Sequence, residues 1–303
     1  MDNAGIAAKI DILKKEKNAV ILAHNYCRPE VQDIADYSGD SLALSRIAAN
    51  TDADVIVFCG VHFMAETAHI LSPQKTVLLP DSQSGCPMAD MLTAAQLKEF
   101  KNNYPGATVV AYVNTTAAVK AEADICCTSG NAVNLIHHLA QVDNIIFVPD
   151  KHLGSYLSRK SGKSFKIWEG YCPVHQKIGP EDIIREKKAH PSAKVLAHPE
   201  CSQEVLQLAD DVLSTEGICR YAVTSDVDEI IYATEIGIQH RLEKENPDKR
   251  FYPASKSAVC HDMKKITLEK VARSLEKMSP VIRVPDDVCY QARRAVDKML
   301  EII

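Results

Sequence analysis

The residues best suited to bind metals or move protons recur at a fixed interval. Cys86, Cys172 and Cys260 lie 86 and 88 residues apart, and the first two each precede a proline. A Cys-Pro step also occurs beside some iron–sulfur ligands. Four thiolates usually complete an iron–sulfur cluster or a structural zinc site, whereas three leave a metal position open for a substrate oxygen. The other seven cysteines (Cys27, Cys59, Cys126, Cys127, Cys201, Cys219 and Cys289) form no column of three, and no Cys-x-x-Cys occurs. That absence argues against a zinc ribbon or a thioredoxin-type redox site.

More columns run in the same register. His24, Tyr112 and His198 are spaced by 88 and 86, as are Tyr26, Asn114 and Glu200. Asp36, Asp124 and Asp210 follow, and then Ser41, Ser129 and Thr215. A glutamate among histidines and tyrosines near a metal is a candidate general base, which singles out Glu200. The Ser/Thr column falls where helices begin. Each hydroxyl there can cap its helix or, with the helix N-terminus, hold carboxylate or phosphate oxygens. His175, three residues after Cys172, either neighbours the metal or serves structure.

Each chemical column is the end of a repeating element. Apolar runs at Val20–His24, Val109–Tyr112 and Val195–His198 read as strands. A helix is expected from Ser41 to Ala48 and another over Ala65–Leu71. Further short strands are expected at 55–58, 77–79, 145–148, 165–168, 229–232 and 250–252. Strand-sized runs separated by helix-sized segments argue for βαβ crossovers and parallel sheets. The chain therefore reads as α/β, with three homologous α/β domains and short parallel sheets arranged around a pseudo-threefold axis. The expected divisions are 1–104 with an N-terminal helix around Ala8–Lys17, then 105–190 and 191–279. A last segment, 280–303, would be a C-terminal strand and helix packing back on the repeats. Prolines at 105 and 191 mark matching turns before units two and three. In parallel sheets ligands gather beyond the C-terminal strand ends, where the polar columns sit.

Composition narrows the function class. The chain has 303 residues, 46% hydrophobic and 25% charged, with a net charge of −5. That balance suits a soluble globular protein. No apolar run approaches a membrane span, and no basic block invites nucleic acid. The N-terminus lacks a signal-peptide profile, so a cytoplasmic protein with thiol or metal chemistry is expected rather than a disulfide scaffold. Two further readings stay open. One is a metal-dependent hydrolase or aldolase with His24, His198 and Glu200 as zinc ligands; the other is a non-catalytic iron–sulfur sensor that binds a small anion.

The motifs closely resemble those of quinolinate synthases. They are Leu22-Ala23-His24-Asn25-Tyr26, Gly39-Asp40-Ser41, Gly85-Cys86-Pro87-Met88-Ala89, Tyr112-Val113-Asn114, Thr128-Ser129, Cys172-Pro173-Val174-His175, His198-Pro199-Glu200-Cys201 and Thr234-Glu235-Ile236-Gly237. The resemblance runs from about residue 20 to about 265. It implies a [4Fe–4S] cluster on Cys86, Cys172 and Cys260 with one iron open as a Lewis acid. It also implies condensation of iminosuccinate (iminoaspartate) with dihydroxyacetone phosphate to quinolinate, phosphate and water, in NAD biosynthesis. On this reading the expected substrate-binding set is His24, Ser41, Tyr112, Val113, Asn114, Ser129, His198, Pro199, Glu200 and Thr215. Tyr26 and Glu200 are the expected proton-moving groups, with His24 or His198 assisting. Functional coupling to the enzyme that produces iminosuccinate would follow. Some members carry a C-terminal Cys-x-x-Cys-x-x-Cys; this chain has only Cys289 there, so it resembles the shorter type.

Overall fold

The computed structural model describes residues 2–302. Unit one contains strands β1 (Ala19–His24), β2 (Tyr37–Gly39), β3 (Val55–Cys59) and β4 (Thr76–Leu78). Unit two contains β5 (Thr108–Tyr112), β6 (Ile125–Cys127), β7 (Ile145–Val148) and β8 (Lys166–Ile167). Unit three contains β9 (Lys194–Ala197), β10 (Asp211–Val212), β11 (Glu229–Ala233) and β12 (Arg250–Pro253). Each unit is an all-parallel four-stranded sheet, and the order is the same in all three: second, first, third, fourth. Runs such as Val55-Ile56-Val57-Phe58-Cys59 are buried at every position. That is expected of parallel strands covered by helices on both faces.

The Asp column is structural. The Oδ2 atoms of Asp36, Asp124 and Asp210 accept the backbone N–H of Ile21, Val109 and Val195, each at 2.8 Å. Each aspartate also donates its own N–H to that same residue's carbonyl. The pair of bonds fixes where the second strand starts beside the first. Those second strands, β2, β6 and β10, are not among the strands expected from the sequence; each is only two or three residues long, and β2 and β10 are largely polar or exposed.

Helices close the three units into a ring. The helix after each cysteine packs on the next unit. Ala94–Asn102 lies on Ala117–Ala121 of unit two, Pro180–Ala189 lies on β11 of unit three, and Leu268–Lys277 lies on β3 and on the N-terminal helix Asn3–Glu16. The C-terminal helix Asp286–Glu301 packs on His62–Leu71 and Ala117–Ala121, sealing units one and two. Ile303, which the expected tail included, lies outside the described residues. The strand expected beyond residue 280 is reduced to a single antiparallel bridge between Val281 and Leu78. Prolines at 280 and 285 leave too little unbroken chain there for a ladder.

Candidate active site

The first strands of all three units end at one cavity of about 180 Å³. Cys86, Cys172 and Cys260 line one wall of it, and none of the other seven cysteines does. Their loops are near copies. The carbonyls of Cys86, Cys172 and Cys260 accept the N–H four residues on, from Asp90, Gln176 and Lys264, at 3.1, 3.0 and 3.2 Å. Each thiol lies against the backbone N–H groups two and three residues on: Met88 and Ala89, Val174 and His175, Asp262 and Met263. A 3₁₀ turn then follows in each loop.

These thiols are protonated without a cation. Burial pushes Cys86 up to about 12 and Cys260 up to about 11, and lifts Cys172 well above the usual thiol range. As thiolates Cys86 and Cys260 would also repel each other, as would Cys172 and Cys86. A metal would supply the missing positive charge and take the protons' place. Two observations fit a cluster rather than one ion. Backbone N–H groups aimed at sulfur are a known means of tuning iron–sulfur centres. The three sulfurs also do not come within 4.8 Å of one another as a group, too far apart for a single ion to bind all three.

The remaining lining residues are organised around Glu200, which is only 3% exposed and whose carboxylate lies within 4.8 Å of the Cys172 sulfur. Tyr112 donates its phenol to Glu200 Oε1 at 2.5 Å, and Asn114 Nδ2 reaches the same oxygen at 3.5 Å. His175 Nδ1 lies 2.8 Å from Oε2. Burial alone would raise this carboxyl, but His175 and the Tyr112 bond outweigh it and hold it well below the usual range. The chain of contacts continues past His175, whose Nε2 is 2.9 Å from Thr234 Oγ1, and on to the Tyr26 hydroxyl at 2.5 Å from that same oxygen. Burial, and then the Glu200 charge, lift Tyr26 and Tyr112 well above the normal phenol range. Both therefore stay protonated, with their hydroxyl hydrogens free to serve in hydrogen bonds.

His24 and His198 occupy equivalent positions and share one device. Nδ1 of each accepts the backbone N–H two residues on, from Tyr26 at 3.1 Å and from Glu200 at 3.4 Å. The proton therefore sits on Nε2, which for His198 faces Ser129 Oγ at 3.1 Å. Burial brings both imidazoles down to about 3, so they are neutral hydrogen-bond donors, not cations.

The Ser/Thr column differs from expectation in one respect. The caps are the preceding residues: Asp40 accepts from Ala43 N–H, and Ser214 from Gly217 N–H. In unit two Asn131 Oδ1 accepts from Thr128 N–H instead. Ser41, Ser129 and Thr215 therefore line the cavity without capping, and Thr215 Oγ1 is buried with no partner. An orphaned buried hydroxyl is costly unless a ligand satisfies it.

The structure gathers His24, Tyr26, Ser41, Tyr112, Asn114, Ser129, His198, Glu200 and Thr215 into this cavity with the three cysteines. Val113 and Pro199 do not line it; they are buried links between lining residues. The zinc reading finds no support. Among the described residues the one metal-sized group is Cys172, His175 and Glu200, not His24, His198 and Glu200. Cys27 and Cys201 are equivalent packing residues, with thiols donating to the carbonyls of Cys59 and Ala233. Asp40, Thr234 and Glu235 stand in the motifs that carry the resemblance, but sequence reasoning gave no role to them or to Lys264. Thr234, Glu235 and Lys264 have no column of like residues, so a search for repeats passes over them.

Comparisons with known proteins give the family of the chain. The family described as "Quinolinate synthetase A protein" matches residues 8–301. The quinolinate synthase of Dehalococcoides mccartyi strain CBDB1 is 55% identical over 298 residues, covering 98% of both chains. That of Methanoregula boonei is 56% identical over 301 residues, 99% of each chain. A quinolinate synthase from Geobacter sp. strain M21 is 52% identical over 302 residues, 100% of this chain and 99% of the relative. With its three cysteine loops and its carboxylate-centred cavity, the chain is an enzyme of the quinolinate synthetase A family.

Proposed function

We propose that this chain is a quinolinate synthase that condenses iminosuccinate with dihydroxyacetone phosphate to quinolinate, phosphate and water, supplying NAD biosynthesis. The observation that carries the reading is Glu200: an ionised, buried carboxylate bonded to Tyr112 and His175 in the cavity that three cysteines share. Cys86, Cys172 and Cys260 would hold a [4Fe–4S] cluster. When bound, a cluster held by three cysteines would leave one iron without a protein ligand, which would supply a Lewis acid for a substrate oxygen.

The remaining chemistry belongs to the chain. The substrates are a dicarboxylate and a phosphate ester, and the cavity meets their oxygens with neutral donors. His24 and His198 offer Nε2–H, and Ser41, Ser129 and Thr215 offer hydroxyls. Ser41 and Thr215 also open ten-residue helices, whose N-terminal partial charge favours anions. Asn114 and Tyr112 orient the imine-bearing substrate against Glu200. Glu200 accepts a proton from substrate carbon or hydroxyl, and His175 passes a proton on to the Thr234 hydroxyl, which hands its own to the Tyr26 oxygen. Tyr26, at the far end of that chain, gives a proton to a leaving hydroxyl. Each such group contributes ~10²–10⁴-fold. A reducing cytoplasm suits the ten free cysteines, and coupling to an iminosuccinate-producing enzyme would limit loss of a hydrolysable imine.

The test is anaerobic loading with iron and sulfide, followed by incubation with both substrates. Quinolinate and phosphate appearing in equal amounts support the reading. A loaded protein with a cluster spectrum and no quinolinate overturns it.

A further inference from the structure

At the seam between units one and three, a buried ion pair joins the Tyr26 turn to the Cys260 loop. Glu235 is fully buried, and its Oε1 accepts the Cys260 backbone N–H at 2.9 Å while Oε2 accepts that of Gly237 at 2.6 Å. Lys264, four residues beyond Cys260, sits with Nζ 3.0 Å from Oε1 and 3.2 Å from Oε2. The same ammonium donates to the carbonyl of Tyr26. Arg28 Nε returns the link by donating to the Lys264 carbonyl at 2.7 Å. Gln32 Nε2 donates to the carbonyls of Asn25, Cys27 and Gly237 at 3.1, 2.9 and 3.0 Å. The crossing is tight. A Cβ on Gly237 would stand 2.5 Å from Lys264 Nζ and 2.9 Å from Tyr26 Cα, so only glycine fits.

The other two seams lack this pair. The positions equivalent to Lys264, four past each cysteine, hold Asp90 and Gln176. Buried Asp150 precedes Cys172, but its Oδ1 accepts from Leu153 N–H, and among the described residues no lysine pairs with it. Val61 stands as far before Cys86 as Glu235 stands before Cys260. A feature that breaks an otherwise repeated design points to the chemistry and not to the fold. Buried ion pairs add little net stability, since desolvation offsets their attraction, but they do fix geometry. Tyr26 is in fact held at both ends by one strand terminus: its hydroxyl by Thr234, its carbonyl through Lys264 by Glu235.

We propose that the Lys264–Glu235 pair is a positioning device that sets the Tyr26 phenol in register with the metal position beside Cys260. The proposal rests on the reading of the site given above. It is tested in the anaerobically loaded full chain with Lys264→Met, Glu235→Gln, Tyr26→Phe and the double variant Lys264→Met/Tyr26→Phe. Iron content and thermal melting are measured beside kcat and KM. The expected result for Lys264→Met is near-wild-type iron, kcat lower by roughly 10–100-fold and KM within about threefold. Glu235→Gln, which keeps an acceptor for Cys260 N–H, should lose rate in the same way. The double variant should be no slower than Tyr26→Phe alone, because the pair acts through that phenol.

Unchanged kcat in Lys264→Met overturns the proposal. So does a full multiplicative loss in the double variant, or iron loss as complete as in Cys260→Ala, which would make the pair an assembly element. If the loaded wild type makes no quinolinate, the reaction reading fails by itself. The positioning claim is then decided by the reduced cluster's electron paramagnetic resonance spectrum with succinate as probe. Lys264→Met and Tyr26→Phe must alter the succinate-induced change alike, and unlike changes overturn it.

Discussion

The two walls of the cavity follow opposite rules. The cysteine wall obeys the threefold repeat closely: three loops share the same carbonyl bond, the same pair of N–H groups facing sulfur and the same short turn. The strand-end wall keeps the positions and changes the residues, so that histidine, tyrosine and histidine stand in one column and tyrosine, asparagine and glutamate in the next. The contrast separates two tasks. Holding a group on an axis is a symmetric problem, which identical loops solve. Condensing two different substrates, the reaction proposed above, would not be, and there each unit contributes its own donor or acceptor.

The largest effect expected from this contrast is equal failure on the symmetric wall. Cys86→Ala, Cys172→Ala and Cys260→Ala should each abolish the cluster, read as iron content and absorbance near 400 nm (a rough expectation for the cluster type). A cluster that survives one of the three substitutions would break the symmetry. On the asymmetric wall the losses should be unequal and iron should stay. Glu200→Gln is expected to lower kcat by roughly 10³-fold or more, since it is the shared partner of Tyr112, Asn114 and His175. Thr234→Val, which interrupts the path between His175 and Tyr26, should cost about 10–100-fold. Equal losses at both positions would argue that no ordered path exists.

The next effect is on stability against pH. His24 and His198 have folded-state values near 3 against the ordinary 6.5, because burial disfavours their charged forms. Below about pH 6.5 the unfolded chain takes up two protons that the folded chain refuses. Stability should therefore be fully present above that pH and fall as pH drops toward 3. The slope approaches about 1.4 kcal/mol per pH unit for each histidine. Denaturant midpoints of His24→Gln and wild type between pH 7 and 5 check this, and the variant should show the shallower fall. The smallest effect belongs to the structural column. Asp124→Asn should cost about 1 kcal/mol by weakening the bond to Val109 N–H, with catalysis unchanged.

Much of this was legible in the sequence because repetition marks it. The cysteine trio, the strand-end columns and the first, third and fourth strands of each unit announce themselves by spacing and apolar runs. The short edge strands β2, β6 and β10 do not stand apart as apolar runs from the loops around them. The capping scheme was misread by one residue. Serine at 41 and threonine at 215 are good caps by type, and only the backbone shows that Asp40 and Ser214 take that role. Thr234, Glu235 and Lys264 were invisible as a group for a different reason. Each acts once, across a seam between distant parts of the chain, and nothing in one unit forecasts its partner in another.

That one-residue offset at the helix starts has a practical consequence. Because Asp40 and Ser214 already close their helices, the side chains at 41 and 215 bear no duty to the fold. They are thus places where the cavity could be re-cut for a longer or differently charged acid without unravelling the scaffold behind it. An engineer wishing to change what this protein accepts would begin there and leave the cysteine loops alone.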